Sequence, residues 1–323
     1  MSAFPSGGKV EGTPRMEGAL VMITSDRSKT RRLLLSSIVA GVAALTMSAP
    51  PALAALPVTS SPELKLARTI RTSPFAGSSI SMKDAEGSAY VPRDNSLWLA
   101  DDNGRAVYEV NPTTGALKRK IDRTAFESAP KLGGGSPAGA NRSADIEAMA
   151  YDEATDTLYV FSGPCCQSSV LPTAFRLTRA GGAFKVESYQ PLAGGSDYTA
   201  AGWNKADGKI YVGVAGQIRS YNYTTNTASA TFHVTGLTGI LGMSFSSNGA
   251  DLFVVTNAEK LYRVDWAHKT LVAGWTFDLT GFKVKDSRAV ELINDQFYVL
   301  DGYDGRSSGD PLRHAVFVFD VLP

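Results

Sequence analysis

The chain has 323 residues, of which 43% are hydrophobic and 20% charged, and its formal net charge is only +1 at pH 7. A chain of this size can bury a full core as one large domain. Its near-neutral charge argues against nucleic acid or an anionic membrane surface as the partner.

The first 54 residues have the pattern of an export signal. Basic residues from Arg27 to Arg32 precede an apolar run, Leu33–Met47, and the small residues of Ala52–Ala54 then provide a cleavage site. The apolar run is too short for a membrane span. The Arg31-Arg32 pair resembles a twin-arginine signal, and an ordinary secretory signal is the alternative. We therefore expect a secreted protein whose residues 55–323 form a single domain.

The rest of the chain repeats one hairpin pattern, in which a polar turn is followed by a strand with an apolar triplet. The triplets stand roughly 40 to 60 residues apart, as in propeller blades. They are Leu97–Leu99, Leu158–Val160, Ile210–Val212, Leu252–Val254 and Phe297–Val299.

A third strand follows each triplet, and a fourth strand follows in the first four repeats. The fifth repeat lacks a fourth strand, but Leu64–Thr72 resembles Leu117–Thr124 and can supply it. A strand from the N-terminal side would close the ring and remove exposed sheet edges. We therefore predict an all-β fold, a five-bladed β-propeller closed by an N-terminal strand. Chain length alone would also allow six blades.

Acidic residues recur at fixed places in this pattern. The residues that stand eleven positions before the triplets are Glu86, Glu147, Thr199, Leu241 and Asp286. Asp101 and Asp301 stand shortly after the first and the last triplet. Because the first strand of each blade lines the central channel, these side chains are expected to meet at one opening. Asp84, Asp145 and Asp197 are expected to cap the loops that lead into the blades.

Carboxylates that converge on a channel repel one another, and a hard cation relieves the repulsion. Ca²⁺ fits best because it accepts six to eight oxygen ligands in loose geometry, whereas Mg²⁺ requires a stricter octahedron. No Cys/His cluster with zinc-ligand spacing is present. The alternative is that these acids hydrogen-bond the backbone of neighbouring blades.

Three further residues beside the third strands are candidates for substrate contact. Arg105, Lys260 and His314 could bind an anionic group, although ordinary solvated loop charge is the alternative. His314 could instead act as general base, a role for which Asp101 and Asp301 also compete. Thr199 is expected to contact the ligand.

Cys165 and Cys166 are adjacent and are the only two cysteines of the chain. In an oxidising compartment they could form a strained vicinal disulfide, and the resulting apolar platform would bind a ligand. Pairing between molecules, or persistence of the thiols, remains open.

Three short motifs give the chain a resemblance to known proteins: Asp84-Ala85-Glu86-Gly87, Ile146-Glu147-Ala148 within Asp145–Asp152, and Ala289–Ile293. They resemble the exported propellers of the SdiA-regulated and esterase-like phytase type and, more distantly, the gluconolactonase and senescence-marker propellers. The resemblance implies calcium bound by Glu86, Glu147 and Asp286, and hydrolysis of phosphate or carboxylic esters. Thr199 and Leu241 depart from an all-acidic ring, so a complete multi-calcium phytase site is not expected.

The leading hypothesis is a secreted Ca²⁺-dependent hydrolase of small esters, lactones or phosphate esters, with its site at the channel mouth. The absence of a Gly-x-Ser-x-Gly motif disfavours a serine esterase. The alternative is a non-catalytic extracellular binding or scaffold propeller that recognises a sugar, peptide or envelope component. In either case we expect a small-molecule or glycan ligand and a monomeric protein.

Overall fold

A computed structural model describes residues 62–164, 171–192, 197–302 and 305–323. In this part of the chain, strands form five four-stranded antiparallel sheets arranged as a β-propeller. The predicted all-β, five-bladed fold is therefore confirmed, and the six-bladed alternative is wrong.

The blades follow the chain in order. Blade 1 comprises β2 (Ala85–Val91), β3 (Ser96–Asp101), β4 (Ala106–Val110) and β5 (Leu117–Ile121), and a short helix α1 (Arg123–Glu127) follows it. Blade 2 comprises β6 (Ile146–Asp152), β7 (Thr157–Ser162), β8 (Thr173–Ala180) and β9 (Ala183–Pro191). Blade 3 comprises β10 (Ala200–Asn204), β11 (Lys209–Val214), β12 (Gln217–Asn222) and β13 (Thr227–Ala228). Blade 4 comprises β14 (Ile240–Phe245), β15 (Asp251–Thr256), β16 (Lys260–Asp265) and β17 (Thr270–Asp278).

Blade 5 joins the two ends of the propeller. Its strands are β18 (Ser287–Ile293), β19 (Gln296–Asp301), β20 (Val316–Leu322) and, at the outer edge, β1 (Glu63–Ile70). β1 pairs antiparallel with β20, and it buries Leu64 and Ile70. The predicted closing strand is confirmed.

The apolar triplets lie on the second strand of each blade, and all their residues except the half-buried Tyr159 are buried. In blade 1, Leu97, Trp98 and Leu99 are all at most 1% exposed. Both faces are covered because each blade packs against its two neighbours, so a middle strand reads as a continuous apolar run. The core is accordingly a series of layers between blades.

The first strands, β2, β6, β10, β14 and β18, line the channel and approach closely at mid-height. A Cβ added to Gly87 would lie 2.5 Å from the carbonyl oxygen of Glu147, and one added to Gly242 would lie 2.5 Å from the Cα of Ala289. The space left between the strands here is about 10 Å³. We call the face where the first strands begin the upper face, and the face where they end the lower face.

No helix within the described residues is both long enough and apolar enough to cross a bilayer.

Candidate metal centre

The structure corrects the alignment of Asp286 with Glu86 and Glu147. In blade 5, Ile293 pairs with Gln296 across a two-residue turn, whereas blades 1 and 2 place four residues in the same turn. Counting the same number of residues back from the triplet therefore reaches, in blade 5, a residue two positions earlier relative to the first strand than Glu86 and Glu147 in blades 1 and 2. The residue that corresponds to Glu86 and Glu147 is Arg288.

Backbone hydrogen bonds confirm the corrected alignment. The carbonyl oxygen of Asp84 accepts from the N–H of Asp102 (3.0 Å), and that of Asp145 accepts from the N–H of Gly163 (2.7 Å). In blade 5 the carbonyl oxygen of Asp286 accepts from Gly302 in the same way (2.7 Å). Asp286 is therefore the counterpart of Asp84 and Asp145.

Arg288 compensates the acids on one side of the upper opening. Its Nε lies 2.7 Å from Asp286 Oδ1, and its Nη1 lies 3.1 Å from Glu86 Oε2. Burial raises the pKa of Glu86, and the guanidinium of Arg288 opposes that rise. The positive charge of Arg288 thus partly neutralises the acids of blades 5 and 1.

A second group of acids lies on the side of blades 2 and 3. Each of Asp145, Glu147 and Asp197 offers a carboxylate oxygen, and these oxygens lie within 4.8 Å of one another. We call these three residues the acidic triad. Burial, and then repulsion from Asp197 and Asp145, raise the pKa of Glu147 well above its ordinary value. Burial and the charge of Asp145 likewise raise the pKa of Asp197.

Gly163 provides the space in which the triad converges. A Cβ at this position would lie 2.4 Å from Asp197 Oδ1, 2.7 Å from Asp145 Oδ2 and 3.2 Å from Glu147 Oε1. Asp197 Oδ1 is itself buried and accepts no hydrogen bond from the described residues. Three carboxylate oxygens that converge over a glycine fit a Ca²⁺ or Mg²⁺ ion, since both cations prefer oxygen ligands. They do not fit zinc, which prefers Cys and His.

Asp102 interacts with acids of both groups, Asp84 on one side and Asp145 on the other. Burial raises its pKa, and the charges of Asp145 and Asp84 raise it further. It also shares a side-chain hydrogen bond with Asp145. A carboxyl that holds its proton more tightly than usual therefore lies beside the triad.

Of the three predicted metal ligands, the structure places only Glu147 in the triad. Asp145 and Asp197, which the sequence analysis expected to cap loops, direct carboxylate oxygens into it. The signal for Asp145 was present in the sequence, because an Asp-x-Glu pair occurs at the start of the first strand in both blade 1 and blade 2. Asp197 could not be recognised in this way, since blade 3 has Thr199 in place of the glutamate.

Asp101 and Asp301 hold entrance loops in place. The carboxylate of Asp101 accepts from the N–H groups of Asp84 (2.9 Å), Lys83 (3.1 Å) and Gly104 (2.8 Å) and from the hydroxyl of Tyr108 (3.2 Å). Asp301 repeats this in blade 5, where its carboxylate accepts from Lys285 (2.9 Å) and Asp286 (2.8 Å). A buried ion pair with Arg306 adds to these contacts. Both carboxylates are fully buried, which favours a structural role over the predicted role of base.

His314 is buried against the start of β2. Its Nδ1 accepts from the N–H of Ala85 (3.3 Å), and its ring also hydrogen-bonds to the backbone of Lys83. Burial and the nearby Arg313 lower the pKa of His314 to about 4. The ring is therefore neutral near pH 7 and occupied with the backbone, which favours a structural role over proton transfer.

Of the four predicted ligand-binding residues, Arg105 and Thr199 lie outside the triad. Arg105 Nη1 donates to the carbonyl oxygen of Ala140 (3.4 Å) and lies 4.0 Å from Glu127 Oε1, so it is turned toward the segment between blades 1 and 2. Thr199 Oγ1 donates to the carbonyl oxygen of Ile240 (2.9 Å) and thereby links blades 3 and 4. Cys165 and Cys166 lie outside the described residues.

No protein-family model matches the chain, and no curated protein matches it in sequence. Solved structures with a similar fold include the following two. The PQQ-bound aldose sugar dehydrogenase from Streptomyces coelicolor aligns with a TM-score of 0.52 and 11% identity, over 81% of this chain and 99% of that one. Glutaminyl cyclase from Myxococcus xanthus aligns with a TM-score of 0.55 and 10% identity, over 80% of this chain and 96% of that one. At such identities the likeness shows the propeller fold alone.

Proposed function

We propose that this protein is a secreted, divalent-cation-dependent hydrolase of small esters, lactones or phosphate esters. The observation that carries the proposal is the convergence of Asp145, Glu147 and Asp197 over Gly163. The fold is compatible with catalysis, because both structures of similar fold bear the names of enzymes. The export-signal pattern of the first 54 residues supports secretion.

The acidic triad would hold the cation, and Ca²⁺ is the best candidate. The strongest influences on the pKa of Glu147 all disfavour its charged form, so a bound cation would displace the proton that Glu147 retains. When bound, such a cation polarises a carbonyl or phosphoryl oxygen and acidifies water.

Two neighbouring side chains give the opening further chemistry. Asp102 could take part in proton transfer, because burial and the neighbouring acids raise its pKa to about 8, which is close to neutral pH. Arg288, on the opposite side, pairs with Glu86 and Asp286 and so leaves the acidic triad as the part of the opening whose charge a cation would balance. In this proposal Asp102 takes the role that the sequence analysis gave to Asp101, Asp301 or His314.

The test is turnover of aryl esters, lactones and phosphate monoesters by the full chain, with Ca²⁺ and with a chelator. We expect hydrolysis of one substrate class, loss of activity with the chelator and recovery with Ca²⁺. Glu147→Gln should lower kcat/KM by at least about 100-fold, because it removes a charged ligand of the cation. Activity that survives both the chelator and Glu147→Gln would refute the proposal, and cation binding without turnover would favour the non-catalytic alternative.

A matched pair of glycine variants tests the geometry. Gly163→Ala should lower activity as much as Glu147→Gln, since its Cβ would occupy the space between the three carboxylates. Gly281→Ala is the control, because an added Cβ there meets no atom within 4 Å. Equal activity of the two variants would contradict the assignment of Gly163.

A further inference from the structure

The lower face contains a cavity of about 430 Å³. At the same register of the first strands, opposite the first residue of each triplet, every blade contributes one large side chain to its wall. These residues are Tyr90, Tyr151, Trp203, Phe245 and Leu292. A ring of four aromatic residues and one leucine therefore surrounds the channel axis. Its volume lies within the usual range for small-molecule sites.

Glu291 lies at the inner end of this cavity. One residue earlier in the register than the ring, the other blades carry the small residues Ala89, Ala150, Gly202 and Ser244, and only blade 5 carries a long ionisable side chain. The Glu291 carboxyl accepts from the hydroxyls of Ser88 in blade 1 (3.3 Å) and Ser244 in blade 4 (3.4 Å). Ser88 also borders the narrow space at mid-height, which locates Glu291 where the cavity ends.

The charges around this cavity are predominantly negative. Glu291, Glu153 and Asp295 are the acidic residues of its wall, and Lys205 is the basic one among the described lining residues. Lys205 Nζ lies 2.7 Å from Glu153 Oε2 at the rim, so its charge is already compensated. The Glu291 carboxyl also accepts from the backbone N–H of Tyr90. The hydrogen bonds that it accepts from the two serines are long, and all three donors are neutral, so they stabilise a carboxylate less than a cation would.

We propose that the lower cavity binds a small organic cation, in which an ammonium group is carried on an apolar body. The charge would lie against Glu291, and the apolar body would lie among the four aromatic side chains and Leu292. Aromatic side chains attract such cations through their negative faces. An anion would find no uncompensated cationic side chain among the described lining residues. This site is separate from the acidic triad and does not depend on the proposed hydrolase activity.

The proposal implies a proton linkage. Burial raises the pKa of Glu291 to about 8, so the carboxyl holds its proton at pH 6 and must lose it when a cation binds. Affinity for a permanently charged ammonium should therefore rise between pH 6 and pH 8.5. Tyr90, Tyr151, Glu153, Lys205 and Asp295 also face the cavity, and comparison with Glu291→Gln separates their titration from that of Glu291.

The experiment is calorimetric titration of the full chain with benzyltrimethylammonium and with 3-phenylpropan-1-ol, an uncharged molecule of similar size. We expect one ammonium per chain, bound more tightly than the alcohol. Glu291→Gln should weaken ammonium binding by at least about tenfold and abolish its pH dependence, while leaving alcohol binding unchanged. Glu153→Gln is the control, since it removes the same charge from the rim and should change the affinity less than about threefold.

A second variant keeps the proposal testable if the Glu291→Gln protein does not fold. Trp203→Leu keeps the carboxyl and removes one aromatic ring, and it should weaken binding of both probes by several-fold. The proposal is overturned by absence of ammonium binding at millimolar concentration, by equal affinity for ammonium and alcohol, or by unchanged ammonium affinity in both Glu291→Gln and Trp203→Leu. Esterase and phosphatase assays play no part in these outcomes, so failure here is distinct from failure of the hydrolase proposal.

Discussion

Arg288 shows how a single residue divides the upper opening. It stands where blades 1 and 2 carry Glu86 and Glu147, and it pairs with Glu86 and Asp286. Without it, Glu86 and Asp286 would lack this guanidinium. With it, the proposed cation site is confined to the triad of blades 2 and 3.

His314 shows the opposite use of a titratable side chain. Its imidazole is 1% exposed and is held neutral by burial and by Arg313. Its backbone lies in the left-handed region (φ 60°), which asparagine tolerates better than most residues. The hydrogen bonds between its ring and the backbone of Ala85 and Lys83 fix the loop before β20 against the start of β2.

We predict that His314 makes the fold sensitive to acid. Its pKa falls from about 6.5 in the unfolded chain to about 4 in the folded one, so the unfolded chain binds more protons between these values. The stabilisation is complete above pH 6.5 and is lost as the pH falls toward 4, by up to about 3 kcal/mol. Urea unfolding at pH 4.5 and pH 7 should show a smaller difference for His314→Asn than for the wild type. Equal differences would contradict the prediction.

At the scale of elements, turn length decides which residues face one another. The turn between β18 and β19 is formed by Asn294 and Asp295, which both have positive φ (48° and 62°). This is the requirement of a tight two-residue hairpin of type I′. The turns of blades 1 and 2 are two residues longer. The difference moves Asp286 to the position of Asp84 and Asp145.

The outer strands of the blades differ in what they bury. β1 contributes Leu64 and Ile70 to the interior, each 4% exposed, and it covers the edge of β20. β13 consists of two exposed residues. The closing strand therefore stabilises the propeller, whereas the edge of blade 3 contributes little.

We predict that deleting Glu63–Ile70 from the full chain lowers the urea midpoint strongly and promotes association. The deletion removes two buried aliphatic side chains, each contributing about 2 to 4 kcal/mol, and leaves β20 as an unpaired edge. Deleting Thr227–Ala228 is the control and should shift the midpoint only slightly. Urea titration and size-exclusion chromatography measure both effects, and similar behaviour of the two deletions would argue against closure by β1.

At the scale of the whole molecule, the two openings of the channel have different chemistry. The upper opening gathers carboxylates and Arg288, while the lower cavity is aromatic with a half-buried glutamate, Glu291, at its inner end. Close packing at Gly87 and Gly242 leaves only about 10 Å³ between them. A ligand at one face therefore has no open path to the other.

We predict that Ca²⁺ raises the thermal midpoint of the protein, and more at pH 8 than at pH 6. A ligand at 100 times its Kd stabilises the folded state by about 2.7 kcal/mol, which corresponds to several degrees. The pH dependence follows because Glu147 and Asp197 have raised pKa values and must release protons on binding. Differential scanning calorimetry with and without chelator measures the shift. Glu147→Gln should lose most of it, and an unchanged shift in that variant would exclude the triad.

The sequence by itself determined the blades. Apolar triplets and polar turns are local patterns, and Leu97–Leu99 or Leu158–Val160 form buried strands because each blade is covered on both faces. The missing fourth strand of the last repeat likewise identified Leu64 and its neighbours as the closing strand. Five blades and the crowding of acids at one opening followed from repetition alone.

Only the tertiary structure decided which acids meet. A turn shorter by two residues placed Arg288 opposite Glu86, and the approach of blades 2 and 3 over Gly163 brought Asp197 to Glu147. It also showed that Asp101 and Asp301 are held by backbone N–H groups. Such contacts depend on distances between strands that are remote in the chain, and a local pattern of residues does not encode them.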